Sequence, residues 1–162
     1  MTTSSNAGEI RKSVVIDAPP DVVFKAISDD KELTDWFPDL AIFEPRVGGK
    51  VRFTFYKENS EEQDRDIYPE GEVLEFIPNQ KISYTWERKD IEGFPRTIVT
   101  WQLEDIGNNK TRVELVHSGF AGAKNEMYNE HKEGWYYFLD KLVVHCNFKS
   151  QKMRQVNSSS QS

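Results

Sequence analysis

Cysteine is almost absent: Cys146 is the only one among 162 residues. An internal disulfide is therefore excluded, and the core alone has to hold the fold. Positive charge is also short. Lys and Arg number 21 against 27 Asp and Glu, a formal net charge of −6. A general nucleic-acid binder needs a basic face for phosphates, so that class is set aside. No run approaches the ~18 apolar residues of a membrane span, and the opening "MTTSSNAGEIRK" lacks the apolar stretch of a signal peptide. A cytoplasmic protein is the resulting expectation. Catalytic signatures are missing as well, with no G-x-S-x-G, H-E-x-x-H, C-x-x-C or phosphate-binding glycine loop. The three histidines, His117, His131 and His145, are far apart in sequence and expected on different faces. His131 and His145 lie on one expected helix about 21 Å apart by rise alone. No metal and no cofactor is expected.

What is present suits a single domain. The chain is 37% apolar and 30% charged, a globular rather than a disordered balance, and it is long enough to bury a core without metals or disulfides. Residues 1–8 and 150–162 are small and polar, "QVNSSSQS" above all, and are expected to be disordered tails around a domain over 9–149.

The pattern within that domain changes twice. "IRKSVVID" reads as a strand with Ile10, Val14 and Ile16 on one face. "APPDVVFKAISD" reads as a helix entered through prolines, and "KELTDWF" as a short second helix, capped by Asp30 and stopped by Pro38. Period two then takes over through "GGKVRFTFYK", "EGEVLEFIP", "KISYTWER", "RTIVTWQLED" and "TRVELVHSGF", with a tight turn at Pro78-Asn79-Gln80 and a hairpin at "IGNNK". This predicts a meander of about five antiparallel strands, each with an apolar and a polar face. "EVLEFI" does not alternate cleanly, so either Glu72 or Glu75 is a candidate for pointing inward. "KENSEEQDRD" reads as a solvated loop, with a partner-binding or lid role as the alternative. From Asn129 to Asn147 helical spacing returns, with Trp135, Phe138, Leu139, Leu142 and Cys146 in one stripe and Tyr137 and Asp140 turned to water.

In order and spacing, "APPDVVFKAISDDKELTDWF", "VGGKVRF", "GEVLEFIPNQKISYTW", "TRVELVHSGF" and "GWYYFLDKL" resemble the START-like helix-grip superfamily (SRPBCC). More narrowly they resemble its AHSA-type branch, named after the activator of the heat-shock chaperone ATPase. The resemblance covers about residues 10–146. It implies an α+β helix-grip fold: a curved antiparallel sheet wrapped around a long C-terminal helix, with two short helices after the first strand. It also implies a cavity between sheet and helix that takes lipids, hormones, polyketides or other apolar molecules. The named activator carries a further N-terminal chaperone-binding domain; none is expected here, which departs from the pattern.

The expected ligand-binding residues are Trp36, Phe53, Phe55, Tyr84, Trp86, Trp101, His117, Trp135 and Leu139. Aromatics with a few polar groups make both small-molecule pockets and ordinary cores, and either reading suits them. His117 falls on the inward face with Val113 and Leu115. It is a candidate for bonding a ligand or moving a proton, or a strand-end histidine held by the backbone. The leading expectation is a protein that binds an apolar or amphipathic small molecule, with His117 and Tyr84 setting its orientation. The alternatives are a protein-interaction module with a chaperone or other protein partner, and a cyclase- or hydrolase-like enzyme using His117. Both a monomer and a homodimer are compatible with the sequence.

Overall fold

The computed structural model describes residues 8–59 and 64–160. The chain enters through strand β1 (Glu9–Ile16) and turns into helix α1 (Pro20–Ser28). Pro19 caps α1 and Pro20 opens it, where a missing N–H costs nothing. Val22, Val23, Phe24, Ala26 and Ile27 bury its inner face. Helix α2 (Asp30–Trp36) follows at once. Its cap is Asp29, whose carboxylate accepts the Glu32 N–H at 3.1 Å, rather than Asp30 as the sequence suggests. Asp30 accepts the Phe43 N–H at 2.7 Å instead. That bond covers the outer edge of β2 (Leu40–Phe43), a short strand that the sequence reading does not contain.

Strands β3 (Lys50–Thr54), β4 (Glu70–Ile77), β5 (Lys81–Trp86), β6 (Thr97–Gly107) and β7 (Lys110–Ser118) complete the sheet. Its order is β1-β7-β6-β5-β4-β3-β2, antiparallel throughout. The hairpin turns sit where positive φ is tolerated best: Asn79 at 64° joins β4 to β5, and Asn108 and Asn109, both at 58°, join β6 to β7. The broken alternation of "EVLEFI" is a β-bulge between Val73 and Glu75, which resets the strand by one residue. Glu72 and Glu75 are both exposed, so neither carboxylate points inward; Glu75 instead accepts from the Ser83 hydroxyl at 3.0 Å. Close by, Gly71 has no room for a Cβ, which would overlap the Thr85 carbonyl of β5.

The concave face carries Phe53, Ile82, Tyr84, Val99, Trp101, Val113, Leu115 and His117, each at most 1% exposed. Helix α3 (Asn125–Ser160) lies across it, with Trp135, Leu139, Leu142 and Cys146 buried against the sheet and Tyr137 and Asp140 exposed. Burial pushes the Cys146 thiol up to about 12, so it behaves as an apolar core residue. The helix outruns the expected 129–147 at both ends. The tail expected from residue 150 is helical through Ser160, since no glycine or proline interrupts it and Ser150 is itself buried. The rest of that expected tail, and residues 1–7 of the expected N-terminal tail over 1–8, lie outside the described residues, as do 60–63 of the charged loop. Lys57–Asn59 of that loop form one 3₁₀ turn. Among the described residues no helix is long and apolar enough to cross a membrane.

An open aromatic groove as the candidate functional site

The inner ends of β5, β6 and β7 meet α3 through a chain of buried hydrogen bonds. The Trp135 indole donates to His117 Nδ1 at 2.9 Å, so the proton of the neutral ring sits on Nε2. That nitrogen donates to Thr97 Oγ1 at 2.8 Å, and the Thr97 hydroxyl donates to the Trp86 carbonyl at 2.8 Å. Burial, with the neighbouring His131 adding to it, holds His117 well below the usual histidine range. Both ring nitrogens are spent on protein partners and the ring is fully buried. His117 is thus a structural link between β7, β6 and α3, and the acid–base or ligand-orienting role expected of it has no free atom to act through.

His131, expected on a different face, lies beside it with ring centroids 5.6 Å apart. Its Nδ1–H donates to the Met127 carbonyl at 2.8 Å and its Nε2 accepts the Trp86 indole at 3.3 Å. Burial pushes its pKa down to about 4. Each histidine therefore accepts one indole N–H and donates once, and two Trp–His pairs pin the sheet to the helix. Among the described residues no group of three or more His, Cys, Asp or Glu is placed to hold a metal.

The space expected under the helix is occupied by protein. Phe53, Tyr84, Trp101, His117 and Leu139 are core residues at most 1% exposed. Trp101 donates to the Tyr84 hydroxyl at 3.0 Å, and the Phe53 and Tyr84 rings are 5.8 Å apart. An open groove of about 900 Å³ lies instead at the rim of the sheet. Of the nine expected site residues it is lined by Trp36, Phe55, Trp86 and Trp135; the other five do not reach it.

Four segments build the groove. Pro38 ends α2, leaving Trp36 and Phe37 at its exit, and the Trp36 indole is fixed by its bond to the Ala26 carbonyl at 2.8 Å. A two-residue bridge, Phe55 with Ile67, holds the β3–β4 connection in place through N–H···O bonds of 2.7 and 2.9 Å. The β5–β6 connection supplies Arg88 and Ile91, and the N-terminal half of α3 supplies the opposite wall. Phe37 stacks on Trp135 at 5.2 Å and meets Phe138 edge-on at 4.9 Å. Phe37 and Phe138 were not among the expected site residues. Phe138 sits at the edge of the apolar stripe and is only half-buried, while Phe37 is placed by the turn at Pro38, which periodicity does not describe.

The groove's charges are unevenly committed. Arg88 holds Asp90 with two bonds of 2.8 Å, both side chains nearly covered, and Arg65 reaches the same carboxylate at 3.3 Å. Burial acts to raise the Asp90 pKa, but the Arg88 hydrogen bonds and charge outweigh it and leave it lowered. Lys141 lies over the Tyr137 ring at 5.0 Å. Asp35, Glu130 and Glu133 line the groove, are exposed, and make no ion pair among the described residues.

The family model described as Activator of Hsp90 ATPase homolog 1-like protein matches residues 17–147. Among solved structures, a protein from Chromobacterium violaceum is 25% identical with a TM-score of 0.73, over 86% of this chain and 97% of that one. The Aha1 dimer from Colwellia psychrerythraea is 23% identical with a TM-score of 0.70, over 86% and 96%. An HSP90 activator from Plasmodium falciparum is 23% identical with a TM-score of 0.67, over 85% and 95%. A comparison with curated proteins gives no match. The helix-grip sheet, the long C-terminal helix and the match over most of the chain agree, and the chain belongs to the Activator of Hsp90 ATPase homolog 1-like family.

Proposed function

We propose that this chain binds an amphipathic small molecule in the groove between α2, the β3–β4 connection and the first half of α3. The observation that carries this reading is an open space of about 900 Å³ lined by Trp36, Phe37, Phe55, Trp135 and Phe138, of which the half-buried Phe55 and Phe138 leave the most ring surface open to it. A ring or alkyl chain laid on these faces gains roughly 25 cal/mol per Å² of apolar surface buried, and the charged rim sets its orientation. No proton transfer is assigned, because His131, the only histidine on the groove, already has both nitrogens bonded.

Native mass spectrometry of the purified protein, with organic extraction of the same sample, tests this. The expected result is a bound mass that is released on denaturation and is absent from a Phe138→Glu variant with an unchanged circular dichroism spectrum. A bound mass retained in that variant contradicts the groove as its site.

A protein partner is the second reading. The family match favours it, as do Val144 and Phe148, exposed at 68% and 60% on α3 outside the groove. Here the partner is a chaperone of the Hsp90 type. The matching test is a pull-down with purified Hsp90, in which Val144→Asp with Phe148→Asp removes capture while Phe138→Glu leaves it intact.

A further inference from the structure

We infer that the groove selects a ligand with a positive charge on an apolar body, and that Gly134 is the residue that lets this ligand lie directly against α3. The inference rests on the small-molecule reading above and names the ligand class.

Gly134 stands in the interior of α3 and lines the groove. Glycine is among the poorest residues at such a position, because it loses the most backbone freedom. Two structural reasons commonly retain it, and neither holds here. Its φ is not positive, unlike those of Gly8, Gly48, Gly93, Gly107, Gly119 and Gly122. A Cβ built on it meets nothing within 4 Å, whereas at Gly49 and Gly71 it would collide with backbone. What lies in front of Gly134 is the groove. A glycine there exposes bare helix backbone between Glu133 and Trp135, which suits close approach of a ligand.

The charge around that approach is one-sided. Five lining side chains are carboxylates and three are cationic. Arg65 and Arg88 are both tied to Asp90, which lies outside the lining, and Lys141 rests on Tyr137. Asp35, Glu130 and Glu133 are without ion pairs among the described residues. Glu130 and Glu133 are three apart on α3 and so neighbour each other on its surface, just ahead of Gly134. An anionic ligand would have to displace Asp90 to reach Arg88. A cation meets unpaired carboxylates and the faces of aromatic rings, to which it is also attracted.

The test uses three probes with one chain length: decyltrimethylammonium, decanoate and neutral decanol, each below its micelle concentration. Binding to the full chain is followed by tryptophan fluorescence and calorimetry at low ionic strength. The expected order is decyltrimethylammonium, then decanol, then decanoate, with about tenfold between the two ions. Glu130→Gln with Glu133→Gln should shrink that preference to about twofold and leave decanol unchanged. Gly134→Leu should weaken all three about tenfold or more and Gly134→Ala about threefold, while neither variant melts at a lower temperature than the parent. Decanoate binding as tightly as the cation overturns the charge assignment while the groove reading stands. Gly134→Leu binding like the parent overturns the role of Gly134. If none of the three binds the parent protein, the groove reading itself falls and takes this inference with it.

Discussion

His117 connects three elements through two hydrogen bonds, to the Trp135 indole and to the Thr97 hydroxyl, and nothing else in that buried environment replaces it. Truncation to alanine strands the Trp135 indole N–H away from water, takes one donor from the Thr97 hydroxyl, which keeps its bond to the Trp86 carbonyl, and leaves a cavity. His117→Ala should therefore cost about 2–4 kcal/mol in urea unfolding; a loss under about 1 kcal/mol would show that the link carries no load. The two histidines also set a pH dependence. Their folded values are depressed by burial, His131 to about 4 and His117 in the same direction, while the unfolded chain titrates near 6.5. Below that point the unfolded state takes up protons that the folded state refuses, so stability is complete above about pH 6.5 and is lost as pH falls toward the folded values. Between about pH 7 and pH 5, His131 alone removes about 2 kcal/mol, and His117 adds to this. Unfolding midpoints that stay level across this range would contradict the buried neutral pair.

At the scale of elements, β4 and β5 depend on one close approach. Gly71 packs against the Thr85 carbonyl, and a methyl group there overlaps it. Gly71→Ala should cost more than about 2 kcal/mol and raise amide exchange in β4 and β5 before it does so in β6 and β7; uniform protection would argue otherwise. The strands themselves were the most legible part of the sequence. Val99, Trp101 and Leu103, and Val113, Leu115 and His117, alternate without a break, and all six are buried. The stripe from Trp135 to Cys146 identified the gripped helix for the same reason. Three features were not legible. Strand β2 is four residues on an edge, too short for period two to show, and depends on a bond from Asp30 in a different element. The pairing of His117 with His131 joins a strand to a helix, and sequence spacing says nothing about that distance. The groove is made where α2, two connections and α3 converge, so half-buried Phe138 looked like core and loop-set Phe37 looked like a helix end. Tyr84 and Trp101 suited core and pocket alike for the same reason: alternation says that a side chain points inward, not whether the space it enters is already full.

At the scale of the whole molecule, sheet and helix close on a packed aromatic core, and the accessible apolar surface is displaced to the rim. The four tryptophans mark this division. All four are at most 5% exposed; Trp36, Trp86 and Trp135 reach the groove, whereas Trp101 does not and donates its indole N–H to Tyr84. Each indole N–H has its own partner, so each should give a separate resonance that reports on one place. The most direct measurement is an indole N–H correlation spectrum of the full chain titrated in turn with decyltrimethylammonium, decanol and decanoate. For whichever probes bind, the account predicts saturable shifts of the Trp36, Trp86 and Trp135 signals with Trp101 unmoved. A Trp101 shift equal to the others would place the ligand inside the core, and no shift with any probe would contradict the groove as a binding site.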